Sequence, residues 1–338
     1  MNILAVESSC DETAVAIVRD GREVLTDRIA SQVALHRIYG GVVPEIASRK
    51  HIEAIYGLAD QALEDAMLTR QDIDAVAVTY APGLIGAVLV GVNFAKAAAF
   101  ALDKLLIPVH HIRGHIAANY LAYRELEPPF LCLVVSGGHT MIVDVQDYTR
   151  MEILGGTLDD AAGECFDKIG RVLGMPYPGG AALDKAAQLG DENKYTLPRA
   201  NGGKNPYDMS FSGLKTAALN LIHHSQQVGE ALDTNSLCAA FCAAVSDTLV
   251  PRTVAALKQT GYKKLAVAGG VAANSRIRRD LQAAAHEIGA TLYMPPLSLC
   301  GDNAAMIGSQ AYYEYQSGNI AGMDLNAYAT KSILGEKI

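Results

Sequence analysis

Two similar stretches of sequence decide the predicted fold, residues 4–9 (LAVESS) and residues 133–138 (LVVSGG). Each begins as an apolar run, typical of a buried strand, and ends in a polar turn of small residues. A second strand pattern follows each turn, over residues 14–19 and residues 141–145. The two stretches therefore predict a repeated hairpin and a chain built from two copies of one unit.

The patterns around these hairpins repeat in the same order. In the first copy, strands and helices alternate as strand 3–8, strand 14–19, strand 23–30, helix 44–67, strand 74–79, helix 86–102, strand 107–110 and a helix from about Gly114. The second copy contains strands 131–136, 141–145, 151–154, 264–268 and 291–294, and helices 161–173, 213–224, 237–258, 274–287 and 302–315. A segment rich in Gly, Pro and Asn, about residues 155–235, interrupts the second copy and is predicted to be an insertion.

This order indicates an α/β fold with mixed five-stranded sheets. A duplicated lobe of this kind resembles acetate kinase, hexokinase, Hsp70 and actin (the ASKHA class), which implies a nucleotide in the cleft between two lobes. The 338 residues suit two domains of roughly 150 residues each. We expect an N-terminal lobe over residues 1–128, completed by a helix within 303–330, and a second lobe over 129–302 with a helical insertion at 155–235.

The charge balance argues against a broad nonspecific nucleic-acid binder. The net charge is −8 and the pI is about 5.6, whereas such proteins usually have a basic surface. Local basic patches are compatible with this balance. Candidates for phosphate contact are Arg49, Lys50, Arg276, Arg278 and Arg279, and ordinary solvated helix faces explain these residues equally well.

The cysteines and the apolar segments predict a cytoplasmic protein with no membrane partner. The six cysteines form no C-x-x-C pair and lie in apolar runs, typical of reduced core residues. The N-terminus shows no signal-peptide pattern. Residues 84–102 are the most apolar stretch, but Asn93 and Lys96 interrupt it, which favours a buried core helix over a membrane span.

His111 and His115 form a candidate metal site. At i and i+4 they project from one helix face, which lets two imidazoles reach one ion. Asp302 is the candidate third ligand, and two His with one carboxylate suit Fe(II) or Zn(II). A structural His pair, and an Asp302 that caps a helix, are the alternatives. Ile112 stands where a zincin needs its glutamate, so a metalloprotease is disfavoured.

Two glycine-rich turns are candidate phosphate sites. Residues 136–140 (SGGHT) follow a strand, and glycine permits positive φ and close backbone approach to an anion. Residues 268–274 (AGGVAAN) follow a strand and open a helix, whose N-terminus favours anions. The alternatives are an ordinary hairpin turn for the first and a simple helix cap by Asn274 for the second.

Several carboxylates accompany these turns. Asp160, Glu164 and Asp167 share one predicted helix face, where they accept ribose hydroxyls or form a solvated acidic row. Residues 179–184 (GGAALD) add a close-approach turn and Asp184. Residues 7–13 form the turn of the first hairpin, and their acidic residues are Glu7, Asp11 and Glu12. These acidic groups manage a metal-bound phosphate or a proton, or serve the turn alone.

Eight motifs, taken together and in order, resemble the TsaD family (also called Gcp or YgjD), the tRNA threonylcarbamoyladenosine transferases. They are residues 6–13 (VESSCDET), 41–49 (GVVPEIASR), 82–84 (PGL), 111–115 (HIRGH), 136–140 (SGGHT), 211–216 (FSGLKT), 268–274 (AGGVAAN) and 301–303 (GDN). The resemblance covers essentially the whole chain.

The resemblance implies a specific reaction and site. The family moves the threonylcarbamoyl group of L-threonylcarbamoyl-AMP to the exocyclic amine of the adenosine 3′ to the anticodon, in tRNAs that read codons starting with A, and AMP leaves. His111, His115 and Asp302 would hold one divalent metal, Fe(II) by resemblance, with Zn(II) or Mg(II) as alternatives. The implied substrate-binding residues are Val134, Val135, Ser136, Gly137, Gly138, Asp167, Gly180, Asp184 and Asn274, and Asp11 or Glu12 would accept the proton.

The resemblance also implies partners, namely tRNA, a TsaB-like paralogue and a TsaE-like ATPase. The apolar helix after Pro44 is a candidate pairing surface for the paralogue, or else ordinary core. Archaeal and eukaryotic relatives have a Tyr ligand where this chain has Ser136, which leaves the predicted metal site more open. The alternative functions are a small-molecule kinase of the same fold, a metallopeptidase, and a noncatalytic scaffold within a complex.

Overall fold

The computed structural model describes residues 1–199 and 203–334. The chain divides into two compact units. Unit 1 comprises Met1–Pro128, Gln146–Met151 and the chain from Pro295 onward, and unit 2 comprises Pro129–Val145 and Glu152–Met294. The division into domains at 1–128 and 129–302 remains a prediction.

Unit 1 is built on a mixed five-stranded sheet. Its strands are β1 (Asn2–Glu7), β2 (Glu12–Arg19), β3 (Glu23–Ser31), β4 (Ala75–Ala81) and β5 (Leu105–His110). Its first four helices are α1 (Val33–Arg37), α2 (Pro44–Asp65), α3 (Ile85–Leu102) and α4 (His111–Ala122). The strand order is β3-β2-β1-β4-β5, with β1 antiparallel to β2 and parallel to β4.

Unit 2 contains a second sheet of the same topology. Its strands are β6 (Phe130–Val135), β7 (Thr140–Val145), β8 (Met151–Gly156), β9 (Lys264–Ala268) and β10 (Thr291–Tyr293). Its helices are α5 (Ala162–Val172), α6 (Gly179–Ala187), α7 (Ser212–Val228), α8 (Thr234–Thr260) and α9 (Ser275–Glu287). The order β10-β9-β6-β7-β8 matches that of unit 1, with β6 antiparallel to β7 and parallel to β9. The predicted duplicated α/β fold with mixed five-stranded sheets is confirmed.

The last helix, α10 (Ala304–Gln316), belongs to unit 1. It packs directly on the sheet, because a Cβ added at Gly308 would lie 2.6 Å from Val18 Cγ2. Residues on alternate sides of β1 bury into different cores, as the period of two requires. Leu4 and Val6 join the core with α2 and α3, whereas Ile3 and Ala5 join the core with α10.

Two helices, α3 and α8, are long and apolar enough to cross a membrane by length and composition alone. In α8, 72% of the apolar window is buried within the protein, as in a core helix. In α3 only 33% is buried. The expectation that residues 84–102 form a core helix is therefore half right: one face packs inward, while Ile85, Leu89 and Phe100 are exposed.

One local prediction needs correction, and one short helix was not predicted. Residues 179–184 were expected to form a turn, but Gly179 begins helix α6. The short helix α1 was not predicted from the sequence. All six cysteines are free, and all except Cys10 are buried, as expected of reduced core residues.

Candidate functional site

Two histidines on α4 and one aspartate just before α10 lie close together in unit 1. The Nε2 atoms of His111 and His115 lie 3.5 and 3.3 Å from Asp302 Oδ1. One ligand atom from each residue falls within 4.8 Å of the other two. The imidazole ring centroids are 4.6 Å apart. The three side chains are thus close enough to hold one ion together.

The chemistry of these donors fits a metal ion. Both ring nitrogens of His115 are buried without a hydrogen-bond partner among the described residues, although Nε2 faces Asp302. Buried polar atoms nearly always have a partner, so a pair of unsatisfied nitrogens needs an explanation. Two imidazoles and one carboxylate are a ligand set that suits Fe(II) or Zn(II). The three residues can therefore hold a metal.

Glu7 orients His111 from the opposite side of the ring. Glu7 is fully buried at the end of β1, and its Oε2 lies 2.9 Å from His111 Nδ1. Thr79 Oγ1 donates to the same oxygen at 2.6 Å, and Ser9 N donates to Oε1 at 2.5 Å. When the imidazole is neutral and Nδ1 donates to Glu7, the lone pair of Nε2 lies on the side of Asp302. This is the carboxylate–histidine–metal arrangement that fixes a ligand's tautomer and ring orientation.

The same carboxylates set the protonation of His111. Burial lowers the pKa of His111, but the charges of Glu7 and Asp302 outweigh burial and raise the pKa to about 9. Burial by itself raises the pKa of Glu7, yet the neighbouring His111 lowers it overall. Ligation needs a neutral imidazole, so metal binding at this cluster would release a proton.

The turn after β1 carries Asp11 and Glu12. Asp11 is buried, and Glu12 accepts a hydrogen bond from Ser31 Oγ at 2.9 Å. Burial, Asp11 and Asp302 raise the pKa of Glu12 to about 9. Burial and these neighbouring acids therefore favour the protonated form of Glu12. The catalytic role of both residues stays a prediction.

The corresponding turn of unit 2, between β6 and β7, presents backbone rather than acids. Ser136 N donates to His139 O at 2.8 Å, and His139 N donates to Ser136 Oγ at 3.2 Å. A Cβ added at Gly137 or Gly138 would have no neighbour within 4 Å among the described residues. Both glycines therefore border open space.

Two other glycines press against this turn from α5 and from the end of β9. A Cβ added at Gly163 would lie 2.4 Å from Ser136 O, and one added at Gly269 would lie 2.5 Å from Val135 O. Gly269 also has φ of +93°, a conformation that L side chains rarely adopt. The positive φ expected within the 136–140 turn thus occurs at Gly269, and neither Gly137 nor Gly138 adopts it.

Two carboxylates of unit 2 that are predicted to bind the adenylate accept hydrogen bonds at the starts of helices. Asp167 Oδ1 accepts hydrogen bonds from Gly179 N at 2.8 Å and Gly180 N at 3.3 Å, which caps α6. Asp184 Oδ1 accepts from Ser275 N at 3.1 Å and from Ser275 Oγ at 2.8 Å, at the start of α9. Both groups are fixed in place by backbone donors.

Asn274 caps α9, as its alternative interpretation proposed, because Asn274 Oδ1 accepts from Ile277 N at 3.1 Å. Val134 and Val135 lie fully buried at the end of β6. A cavity of about 370 Å³ lies beside Asp184 and Ser275, a volume typical of small-molecule sites. The polar and charged residues that line it are Asp184, Gln188, Glu192, Ser275, Arg276 and Arg279.

The whole chain resembles one group of proteins. The chain matches the family model TsaD, described as tRNA N6-adenosine threonylcarbamoyltransferase, over residues 23–309. The chain belongs to the TsaD family. A curated relative of the same description from Clostridium botulinum (strain 657 / Type Ba4) is 51% identical over 337 residues, 100% of this chain and 99% of the relative. Another from Moorella thermoacetica is 54% identical over 326 residues, 96% of this chain and 95% of the relative.

Solved structures support the fold of this TsaD-family chain. Full-length HypF in its phosphate- and nucleotide-bound form has a TM-score of 0.63 at 15% identity, covering 98% of this chain and 47% of HypF. The ROK hexokinase of Thermus thermophilus has a TM-score of 0.50 at 13% identity, covering 94% of this chain and 99% of the hexokinase. At such identities the likeness shows the hexokinase-like fold alone.

Two interpretations of the metal residues are corrected in this TsaD-family chain. Helix α4 begins at His111 and not at about Gly114, because His110 Nδ1 accepts from Ile112 N and caps the helix. Asp302 does not cap α10. The cap is Asn303, whose Oδ1 accepts from Met306 N at 2.8 Å. The carboxylate of Asp302 is therefore directed at the histidines.

The predicted acidic row and basic patches are engaged locally. Asp160 forms an ion pair with Lys215, and Glu164 pairs with Lys168 at 3.3 Å, so only Asp167 of that row caps a helix. All five predicted phosphate contacts have partners within the chain: Arg49 with Glu45, Lys50 with Glu53, Arg276 with Glu192 and Asp280, Arg279 with Asp280, and Arg278 with Ala272 O. Exposed pairs are weak and exchange partners readily.

The sequence placed Glu7 only among the acidic residues of the first hairpin turn, without linking it to His111, and assigned no role to His51. His51 on α2 is fully buried, with Nδ1 2.8 Å from Thr13 Oγ1 and Nε2 3.0 Å from Cys10 O, and so supports the turn that carries Asp11. The available signal for Glu7 was a carboxylate at the end of an apolar strand, which must find a partner when it is buried.

Proposed function

We propose that this chain transfers the threonylcarbamoyl group from L-threonylcarbamoyl-AMP to the exocyclic amine of the adenosine 3′ to the anticodon. The acceptors are tRNAs that read codons starting with A, and AMP is released. Full-length relatives at 51–54% identity are named for this transfer. The observation that carries the proposal is the cluster of His111, His115 and Asp302, backed by Glu7. A small-molecule kinase of this fold would not need it.

The metal that we propose for this cluster is one Fe(II) ion per subunit. Nitrogen-rich donor sets favour Fe(II) or Zn(II) over Mg(II), which prefers oxygen ligands and water. His111, His115 and Asp302 would hold the ion, and Glu7 would keep His111 in its ligating tautomer. A bound divalent ion supplies Lewis-acid polarisation of an acyl or phosphate oxygen.

The residues of unit 2 would hold the adenylate. Backbone N–H groups of Gly137 and Gly138 are proposed to bind the phosphate, because the two glycines border open space. Ser136, whose own N–H donates to His139 O, would line the same site. Asp167 and Asp184, both held by backbone donors, would accept ribose hydroxyls. The other proposed contacts are Val134, Val135, Gly180 and Asn274, and the cavity beside Asp184 is large enough for the base.

In the transfer step the amine nitrogen attacks the carbamoyl carbon, a C–N bond forms, and the bond from carbon to phosphate oxygen breaks. The amine loses a proton, for which we propose Asp11 as the acceptor, because burial and neighbouring acids raise the pKa of Glu12 and favour its protonated form. An aromatic amine is a weak nucleophile, so correct positioning must supply much of the rate enhancement. Near-normal turnover of Asp11→Ala would remove Asp11 from the mechanism.

A TsaB-like paralogue is the partner that we propose for an apolar surface on α2 and α3. Helices α2 and α3 pack closely here, since a Cβ added at Gly86 would lie 2.6 Å from Ser48 Oγ. The surface, called here the docking face, consists of exposed Ile52, Tyr56, Ile85 and Leu89. Apolar groups exposed together in this way mark interaction sites. Ile52→Glu should abolish co-elution with the paralogue, whereas Val228→Glu, at the end of α7, should not.

The other proposed partners are tRNA and a TsaE-like ATPase, in the cytoplasm. The net charge of −8 makes it reasonable that other proteins contribute part of the phosphate contacts. The pairs at Arg49 and Arg279 are exposed, so phosphate can compete for these cations.

The decisive experiment is a reconstituted transfer assay. Purified chain, paralogue and ATPase are mixed with threonylcarbamoyl-AMP and unmodified tRNA, and modified nucleosides are counted by mass spectrometry after digestion. We expect threonylcarbamoyladenosine to form, and His111→Ala and Asp302→Ala to lower the yield at least about 100-fold. His223→Ala, an exposed histidine on α7, is the matched control.

Full yield from both cluster variants would contradict a metal-dependent transfer. Yield lost in both variants with the complex intact would exclude the noncatalytic scaffold. ATP-dependent phosphorylation of acetate or a sugar, without nucleoside modification, would favour the kinase alternative. Metal analysis of protein purified without oxygen tests the assignment of Fe(II).

A further inference from the structure

The metal ligands come from two helices whose relative placement sets the geometry of the cluster. His111 and His115 belong to α4, and Asp302 lies two residues before the start of α10. The helices pack closely, because a Cβ added at Gly114 would lie 2.6 Å from Ile307 Cδ1. Any sliding of α10 along α4 would therefore change the distance between Asp302 and the two imidazoles.

A buried ion pair joins the same two helices. Arg113, between the two histidines in sequence, donates from Nη1 to Glu314 Oε1 on α10 at 2.8 Å. Both side chains are buried. Glu314 also accepts from Gln310 Nε2 at 2.8 Å and from Asn319 Nδ2 at 2.9 Å. The carboxylate is thus held from three directions, as a buried charge requires.

The carboxyl-terminal segment over residues 328–333, called here the terminal strap, completes the contacts of Arg113. Ile333 O accepts from Arg113 Nε at 3.1 Å and from Nη2 at 2.8 Å. His110 Nε2 lies 3.1 Å from Lys331 O, while Nδ1 of the same ring accepts from Ile112 N, so Nε2 is the protonated nitrogen and donates to the strap. The strap therefore holds the first turn of α4.

The rest of the strap is anchored on the end of β4 and on the loop that follows it. Tyr328 N donates to Tyr80 O at 2.9 Å, and Gly83 N donates to Ala329 O at 3.1 Å. Arg113 therefore connects three separate parts of the chain, namely α4, α10 and an anchored strap. A buried ion pair adds little net stability compared with well-packed apolar residues, so its best-attested use is to fix a specific arrangement.

We propose that Arg113 is a positioning residue for the three side chains that would bind the metal. Its planar guanidinium binds Glu314 and the carbonyl of Ile333 at once, which fixes the register of α4 against α10 and hence the separation of His111, His115 and Asp302. Lysine cannot reproduce this, since it has no fork of fixed geometry. The proposal rests on the proposed function only in that the cluster binds a metal.

The test uses the full chain and four variants, with Zn²⁺ affinity measured by calorimetry and the visible absorption of bound Co²⁺ as a second readout. Arg113→Lys keeps the charge without the fork. A chain that ends at Thr330 lacks the acceptors at Lys331 and Ile333, whereas a chain that ends at Leu334 keeps them. Ile333→Ala removes a buried side chain but keeps its backbone carbonyl.

We expect Arg113→Lys and the chain ending at Thr330 to bind Zn²⁺ about 10–100-fold more weakly, with a changed Co²⁺ spectrum, as when supporting groups of a metal site are lost. The chain ending at Leu334 and Ile333→Ala should match the full chain in both readouts, even where thermal unfolding shows Ile333→Ala to be less stable. If the chain ending at Thr330 does not fold, the comparison of Arg113→Lys with Ile333→Ala decides.

Unchanged Zn²⁺ affinity and Co²⁺ spectrum in Arg113→Lys would overturn the positioning role and leave the proposed function standing. Equal weakening by Ile333→Ala would also overturn it, since general stability would then explain the effect. The metal centre of the proposed function fails if the full chain binds neither ion, or if His111→Ala binds both ions as tightly as the full chain does. The positioning role of Arg113 fails with it.

Discussion

The turns after β1 and β6 occupy equivalent places in two sheets of the same strand order, yet they are built in opposite ways. The first presents buried side chains: Glu7, Ser8 and Asp11 are all buried, and Ser8 Oγ donates to Ala87 O at 2.9 Å. The second presents backbone, because Gly137 and Gly138 border open space. The same strand–turn–strand unit can therefore use its side chains to support a cluster of metal-ligating residues, or use its backbone N–H groups to bind an anion.

The largest effect should come from Glu7, which ends β1 just before the first turn and contacts His111. Glu7→Gln removes the charge that holds Nδ1, so we expect Zn²⁺ affinity to fall about 10–100-fold in calorimetry. Glu125→Gln, on an exposed loop of unit 1, is the control. Unchanged Zn²⁺ affinity in Glu7→Gln would mean that the contact with His111 only compensates the burial of the Glu7 carboxylate. The first hairpin would then have no part in metal binding.

The next largest effect should come from crowding around the second turn. A Cβ at Gly163 meets Ser136 O at 2.4 Å, so Gly163→Ala should lower the free energy of unfolding by about 1–3 kcal/mol in urea titrations. Gly137→Ala, which adds a Cβ in open space, should change it by less than about 0.5 kcal/mol. Equal losses in the two variants would mean that the turn is not open as described.

Asp159 tests whether an acidic residue of unit 2 stabilises only the structure around it, whereas Glu7 of unit 1 contacts a proposed metal ligand. Burial raises the pKa of Asp159, but hydrogen bonds from Ser210, Phe211 and Ser212 outweigh burial and lower the pKa to about 2. The folded protein thus binds this proton less tightly than the unfolded chain does, so the contribution is complete above about pH 4 and is lost towards pH 2.

Asp159 Oδ1 accepts from Phe211 N and Ser212 N and so caps the start of α7. We therefore expect Asp159→Ala to lower the free energy of unfolding by about 1 kcal/mol at neutral pH, the usual effect of losing a helix cap. The difference from the unaltered chain should shrink as the pH falls towards 2, and Zn²⁺ affinity should not change. A constant difference at all pH values would show that the charge of Asp159 is irrelevant.

The smallest effect should come from Ser136, which stands in the second stretch where Glu7 stands in the first. Ser136→Ala removes the acceptor for His139 N, a loss of about 0.5 kcal/mol in stability. Zn²⁺ affinity measured by calorimetry should stay unchanged. A clear fall in affinity would show that the two turns are less specialised than their contacts indicate.

Much of the fold was predictable because the periodicity of apolar residues is local. The strand patterns and the i, i+4 histidines lie within short windows, so the sheets and the ligating face of α4 follow from sequence alone. Helix starts were harder, because their caps come from elsewhere: α6 is capped by Asp167, which lies on α5. A turn prediction at Gly179 was wrong for that reason.

The site was only partly predictable for a similar reason. The sequence could nominate Asp302, but whether Asp302 or Asn303 caps α10 depends on side-chain geometry. The pairing of Glu7 with His111 joins residues far apart in the chain, and no local pattern reports such a partner. The same holds for Gly163 and Gly269, whose need for glycine comes from the backbone of β6 and its turn.

The discontinuity of unit 1 has a consequence for biosynthesis. Ribosomes synthesise the chain from its N-terminus. Every residue of unit 2 precedes Asp302 in the sequence and is therefore made before it. A nascent chain that stalls after Met294 would carry all of unit 2 and both histidines but no third ligand. The proposed metal would thereby be loaded only after Asp302 has been translated, because a shorter polypeptide lacks one of the three residues proposed to hold it.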